Sequence, residues 1–223
     1  MNGKLLVQAV GKLLAGLAAV MLVLFLPAGT FGYWNAWLFI ALLFVPMLAV
    51  GGALIVKAPE LLQKRLSANE KEKTQRWVVG LSALLFVVGF CTAGLDFRFG
   101  WSRLPLWVVI TAAALQLVAY GLYAEVLREN AYLSRTVEVQ ENQKVIDTGL
   151  YGVVRHPMYS ATILMCLAMP LVLGSLYAFV LFLAYPLLIV KRIHNEEAVL
   201  EQGLAGYKEY KERVKYRIAP YIW

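Results

Sequence analysis

The chain has only two histidines, His156 and His194, and both stand among residues able to bind anions or carry protons. His156 lies in "GLYGVVRHPMYSA", Gly149 to Ala161, between Arg155 and Pro157. His194 lies in "KRIHNEE", after Arg192 and before Glu196 and Glu197. Guanidinium, imidazole and carboxylate groups at such spacing suit recognition of a small charged ligand or proton transfer near neutral pH. Proline is well placed at a first helical position, where no backbone N–H is required, so a helix is predicted to begin at Pro157 with His156 as its cap. The positive end of that helix would favour a carboxylate or phosphate. Taken alone, "RHP" equally fits a basic anchor beside a membrane span, with Tyr151 and Tyr159 as interfacial aromatics. The acidic pair alone equally fits the wet face of a surface helix.

The elements that must position these residues are apolar. The chain is 61% hydrophobic and 16% charged, with mean hydropathy +0.65 over 223 residues. That composition predicts an all-α polytopic membrane protein. Four runs have spanning length, roughly Leu5 to Leu26, Trp34 to Val56, Trp77 to Leu95 and Leu104 to Leu127. A fifth, 158–190, would make a helix of about 50 Å, too long for a hydrocarbon core of about 30 Å. Gly174 and Ser175 lie at its midpoint, and Pro170 and Pro186 interrupt its halves. It is therefore predicted to be a helical hairpin, giving about six passes. A hairpin returns its ends to one place, so Arg155, His156 and Tyr159 should lie close to Arg192, His194, Glu196 and Glu197.

Charge supports that topology. Of the 21 Lys and Arg, only Arg98 and Arg103 fall on one side of the predicted membrane. The positive-inside rule then places both termini, the long connections and the polar cluster in the cytoplasm. The organisation expected is a four-span bundle, 1–127, with a cytoplasmic loop at 57–76, followed by a region 128–223. The latter comprises a loop at 128–157, the hairpin at 158–190 and a tail at 191–223. Loop 57–76 reads as a solvated connection lying on headgroups. "RTVEVQ" alternates like a short extended segment, and "DTG" marks a turn. The net charge of +7 is accounted for by loops facing anionic lipid, and no nucleic-acid partner is expected. Residues 1–28 have the outline of a secretory signal, which leaves the downstream topology unchanged if cleaved. Cys91 and Cys166 lie within apolar runs without a CxxC partner, and no metal site is expected. Gly11, Ala15 and Ala18, or Gly51 and Gly52, would permit close helix packing.

"TGLYGVVRHPMYSA", a hairpin, and "EEAVLEQGLAGYKEYKERVKYRIAPYIW" together resemble the isoprenylcysteine carboxyl methyltransferase family and its bacterial relatives. Phospholipid N-methyltransferases share the RHPxY element followed by an acidic pair. The resemblance covers residues 143–223 and implies S-adenosyl-L-methionine bound in a cytoplasmic pocket. By position it implies cofactor contacts from Gln143, Lys144, Val145, Ile146 and Tyr151. It implies further contacts from Arg155, His156, Pro157, Met158 and Tyr159, with Glu196 or Glu197 holding a ribose or ammonium group. Arg192 resembles the substrate-side arginine, and Tyr207, Tyr210 and Arg217 would close the lid. Ala161 stands where the family often has glycine.

The resemblance implies a lipid or lipidated acceptor entering from the bilayer. A sulfonium methyl is already activated, so such catalysis is mostly alignment and exclusion of water. A carboxylate acceptor needs no base, whereas an amine or thiol must lose a proton, for which His156, His194 or a glutamate is available. Arg192 or Arg217 could orient an acceptor carboxylate or phosphate. Two other readings stand beside this one. "RVKYRIAPYIW" also resembles the tail of membrane sterol reductases, which use NADPH and commonly have Asn where Met158 stands. A non-enzymatic protein using the cluster as a headgroup anchor is the other. Transport is disfavoured, because the spans hold almost no ionisable residues.

Overall fold

The computed structural model describes residues 3–66, 73–134, 136–137 and 139–223, with Lys73 and Thr74 described by backbone alone. Arg135 and Glu138, in the segment expected to be extended, lie outside the described residues. Five helices are long and apolar enough to cross a membrane. They are α1 (Gly3–Ala28), α2 (Trp34–Lys57), α4 (Lys73–Phe99), α5 (Leu106–Glu129) and the combined stretch Leu176–Gly203. Leu26, Val56 and Leu187 are among many large apolar side chains left exposed, as expected where the solvent is hydrocarbon.

The fifth apolar run folds as two antiparallel pieces. α6 (Pro157–Val172) begins at the proline expected to start it. Its 16 residues make a helix of about 24 Å, shorter than any of the five candidate spans. The chain reverses at Gly174, whose φ of +78° belongs to the left-handed region that glycine enters without a Cβ clash. Ser175 then caps α7 (Leu176–Phe182) by accepting from the Ala178 N–H at 3.0 Å. After a break at Leu183 and Ala184, α8 (Tyr185–Gly203) carries the chain back beyond the start of α6.

Side chains from other helices hold the reversal. The Tyr33 hydroxyl donates to the Leu173 carbonyl, and Asn35 Nδ2 donates to the Val172 carbonyl at 2.9 Å. Buried Asp96, at the end of α4, accepts from the Ser102 N–H at 2.6 Å and from the hydroxyls of Ser102 and Ser175. The core between the helices is aromatic and aliphatic, with Leu24, Phe39, Phe90, Phe182 and Ile193 wholly or almost wholly buried. The glycines that permit close helix approach are not those expected. Gly11, Gly51 and Gly52 meet nothing within 4 Å. A Cβ on Gly94 would instead stand 2.6 Å from the Leu24 carbonyl oxygen, so α4 meets the α1 backbone there. The expectation failed because small residues mark a possible approach without naming the partner.

On the opposite face lie two short helices, α3 (Pro59–Leu66) and α9 (Tyr207–Arg213). α3 belongs to the connection read as solvated, yet Leu61 and Leu62 are buried. No strand is formed among the described residues, and a 3₁₀ turn at Gly149–Gly152 leads into "RHP".

Candidate functional site

α6 and α8 bring the two polar segments together as the hairpin requires, and the tail binds both. Arg155, His156 and Glu197 are each 5% exposed or less. Arg155 Nε donates to Glu197 Oε1 at 2.8 Å, and His156 Nε2 lies 3.2 Å from the same oxygen. Arg217 Nε donates to Oε2 at 3.2 Å. Arg155 Nη1 also donates to the carbonyls of Val214 and Lys215, at 2.6 and 2.9 Å.

The backbone N–H groups of Arg155 and His156 donate to the carbonyls of Tyr216 and Arg217, at 2.9 and 2.8 Å. Ser160 Oγ donates to the Ile218 carbonyl. The tail therefore straps the start of α6. The anion held by the Arg155 and His156 side chains is the chain's own Glu197, rather than a ligand at the helix end. His194 does not join the cluster: its Nδ1 lies 2.8 Å from the Val190 carbonyl, and its ring faces Trp223.

A cleft beside this knot encloses about 850 Å³ of empty space, partly open to solvent. Its walls include Gln143, Lys144, Val145, Ile146 and Tyr151 from the loop before α6. Arg155, His156, Met158 and Tyr159 line it from the α6 start, and Arg192 and Glu196 from α8. Tyr207 and Tyr210 complete it from α9. Among the residues to which the family resemblance gives a role, Pro157, Glu197 and Arg217 lie outside the lining. Pro157 starts the helix, and the other two form the ion cluster behind the wall.

Inside the cleft the Tyr159 hydroxyl donates to Glu196 Oε2 at 2.5 Å and accepts from Arg192 Nε at 2.8 Å. The Tyr210 hydroxyl donates to the Tyr151 carbonyl at 2.8 Å, tying α9 to the 3₁₀ turn. The Tyr207 hydroxyl is buried and has no hydrogen-bond partner among the described residues. Burial, helped by the negative charges of Glu197 and Glu196, pushes the Tyr207 phenol well above its ordinary pKa, so it stays a neutral donor.

Sequence reasoning passed over several wall residues. Leu200 and Leu204 line the cleft below Arg192 and Glu196. Arg192, Glu196 and Leu200 recur at intervals of four along α8 and Leu204 caps it; in the sequence Glu196, Glu197, Leu200 and Leu204 suggest a helix, but not a wall of the cleft. Asn130 and Ser134 also line it from irregular chain that no periodicity marks, and Val137 from the segment whose alternation suggested extended structure. Arg65 on α3 supports that wall, donating from Nη1 to the Ser134 carbonyl at 3.0 Å and from Nη2 to the Tyr123 hydroxyl.

Fold and site together define a class: a polytopic helical membrane protein with a polar cleft at one end of the bundle, closed by its C-terminal tail. Residues 108–202, a little under half of the chain, match the model of the isoprenylcysteine carboxyl methyltransferase (ICMT) family. The match takes in α5, the loop, α6 and α7, and nearly all of α8. The chain is also 32% identical over 91 residues to the Delta(14)-sterol reductase TM7SF2 of Mus musculus. That stretch is 40% of this chain and 22% of the relative, so the chain spans about a fifth of that protein's length. Among the described residues no group of three or more His, Cys, Asp and Glu is placed to hold a metal ion.

Proposed function

We propose that the protein is an S-adenosyl-L-methionine-dependent methyltransferase of the membrane, acting on a lipid or lipidated acceptor. The observation that carries this reading is the meeting, in one cleft, of parts that the family resemblance assigns separately to the cofactor. These are residues 143–146, Tyr151, Met158, Tyr159 and Glu196.

The donor set fits such a cofactor. Val145, Ile146, Met158, Leu200 and Leu204 offer apolar walls for a nucleoside base. Glu196, steadied by the Tyr159 hydroxyl, offers a carboxylate for an ammonium or ribose group, and Tyr207 offers an unspent donor. The cofactor would supply a methyl group already activated on a sulfonium. The chain's residues then have to bind, orient and exclude water. Arg192, beside Tyr159, would orient an acceptor carboxylate or phosphate. Arg217 and Glu197 act one layer behind, fixing the tail that closes the cleft. α6 is the fifth pass in this reading and the stretch from α7 to α8 the sixth, with both termini and the cleft in the cytoplasm, the cofactor arriving from the cytosol and the acceptor from the bilayer.

The similarity to a sterol reductase keeps a second reading, an NADPH-dependent reductase. Membranes containing the protein, supplied with methyl-labelled S-adenosylmethionine, are expected to pass label into the lipid extract. A Glu196→Gln variant should lose most of that transfer. Label no greater than in empty membranes, alongside NADPH consumption on a sterol, would favour the reductase.

A further inference from the structure

Outside the cleft, a second concavity lies between the end of α2, α3 and the end of α5. It holds about 1510 Å³ of empty space, partly open to its surroundings. Val50, Leu54, Ala124 and Leu127 form an apolar wall, and Lys57, Lys64 and Arg128 line it with Glu60 as the acid among them. Arg128 is already paired with Glu125, through Nε at 2.8 Å and through Nη2. Lys57 has no carboxylate partner among the described residues, while Lys64 Nζ lies 5.9 Å above the Tyr132 ring.

We infer that this groove binds one anionic phospholipid, its phosphate on Lys57 and Lys64 and an acyl chain along Val50 and Leu54. Two observations favour that occupant. The wall is apolar where α2 and α5 are membrane-spanning, and a groove there fills with hydrocarbon rather than water. The basic residues sit at the helix ends that carry most of the chain's positive charge, where anionic headgroups lie. The lipid is a bound cofactor of the fold, distinct from any methyl acceptor, and the inference does not rest on the methyltransferase reading.

The test is native mass spectrometry of the protein released from phosphatidylcholine bilayers doped with phosphatidylglycerol. One phosphatidylglycerol per chain should be retained, enriched over the bilayer composition by about tenfold or more, from a contribution of about 1 kcal/mol per basic residue. Lys57→Gln with Lys64→Gln should abolish the enrichment while thermal unfolding stays unchanged. A charge-matched pair elsewhere, Lys4→Gln with Lys208→Gln, should keep it. Enrichment surviving the first pair overturns the proposal. So does retained lipid without headgroup preference, displacement by inorganic phosphate, or a dimer that shields Lys57 and Lys64.

Discussion

The Glu197 carboxylate receives Arg155 and His156 on one oxygen and Arg217 on the other, inside a knot closed to solvent. Replacing it with glutamine keeps the shape and removes the negative charge that offsets two buried or half-buried guanidinium groups. Breaking a buried pair in this way costs about 3–5 kcal/mol. Glu197→Gln should accordingly lower the thermal unfolding midpoint in detergent by many degrees, whereas an unchanged midpoint would mean the cluster is not structural. Tyr207 makes the opposite case. Its buried hydroxyl bonds to nothing among the described residues, so Tyr207→Phe sacrifices no hydrogen bond to them. The variant should be as stable as the parent or slightly more so, yet bind S-adenosylhomocysteine less tightly by a factor of roughly ten, a typical single hydrogen bond. Calorimetry and thermal unfolding on the same samples would separate the two effects. That Arg155 and His156 belong near the acidic pair was legible in the sequence from the hairpin's return. That the tail's carbonyls would take their N–H groups was not, because backbone pairing of an irregular segment leaves no mark on side-chain type.

At the level of elements, the hairpin is held from its far end. Asp96 collects a backbone N–H and a hydroxyl from Ser102 and a second hydroxyl from Ser175, while Tyr33 and Asn35 bond the carbonyls left over at the end of α6. Asp96→Ala leaves those donors without an acceptor, and a buried unsatisfied donor costs about 1–3 kcal/mol. The expected result is a lowered unfolding midpoint with ligand affinity at the opposite end nearly intact. A selective loss of affinity without destabilisation would contradict a purely structural role. The reversal itself could be read from a run too long for one span and from Gly174 and Ser175 at its midpoint. The residues that latch it could not, since Tyr33, Asn35 and Asp96 are separated from it by much of the chain. α3 was misjudged for a related reason. Its charge hides the buried Leu61 and Leu62, and Leu61 packs among neighbours in α2 and α5.

Across the whole molecule, charge is concentrated at one end of the bundle, where the cleft, the tail and the lipid groove also lie. All but two of the 21 Lys and Arg fall on that side of the predicted topology, which in the proposed reading faces the cytoplasm by the positive-inside rule. Reporter fusions to either terminus should both report a cytoplasmic location, and a periplasmic or lumenal signal from one of them would remove the hairpin from the topology. The membrane class was legible from composition alone, and the cleft in outline from where the hairpin brings its ends. Its inner wall was less so, because Asn130, Ser134 and Val137 contribute by position rather than by type. The claim on which the account depends is that this cleft takes S-adenosylmethionine. Titration of the purified protein with S-adenosylhomocysteine and, separately, with NADPH tests it most directly. The account predicts micromolar binding of S-adenosylhomocysteine, greatly weakened by Glu196→Gln, and no binding of NADPH. Binding of NADPH alone would contradict it.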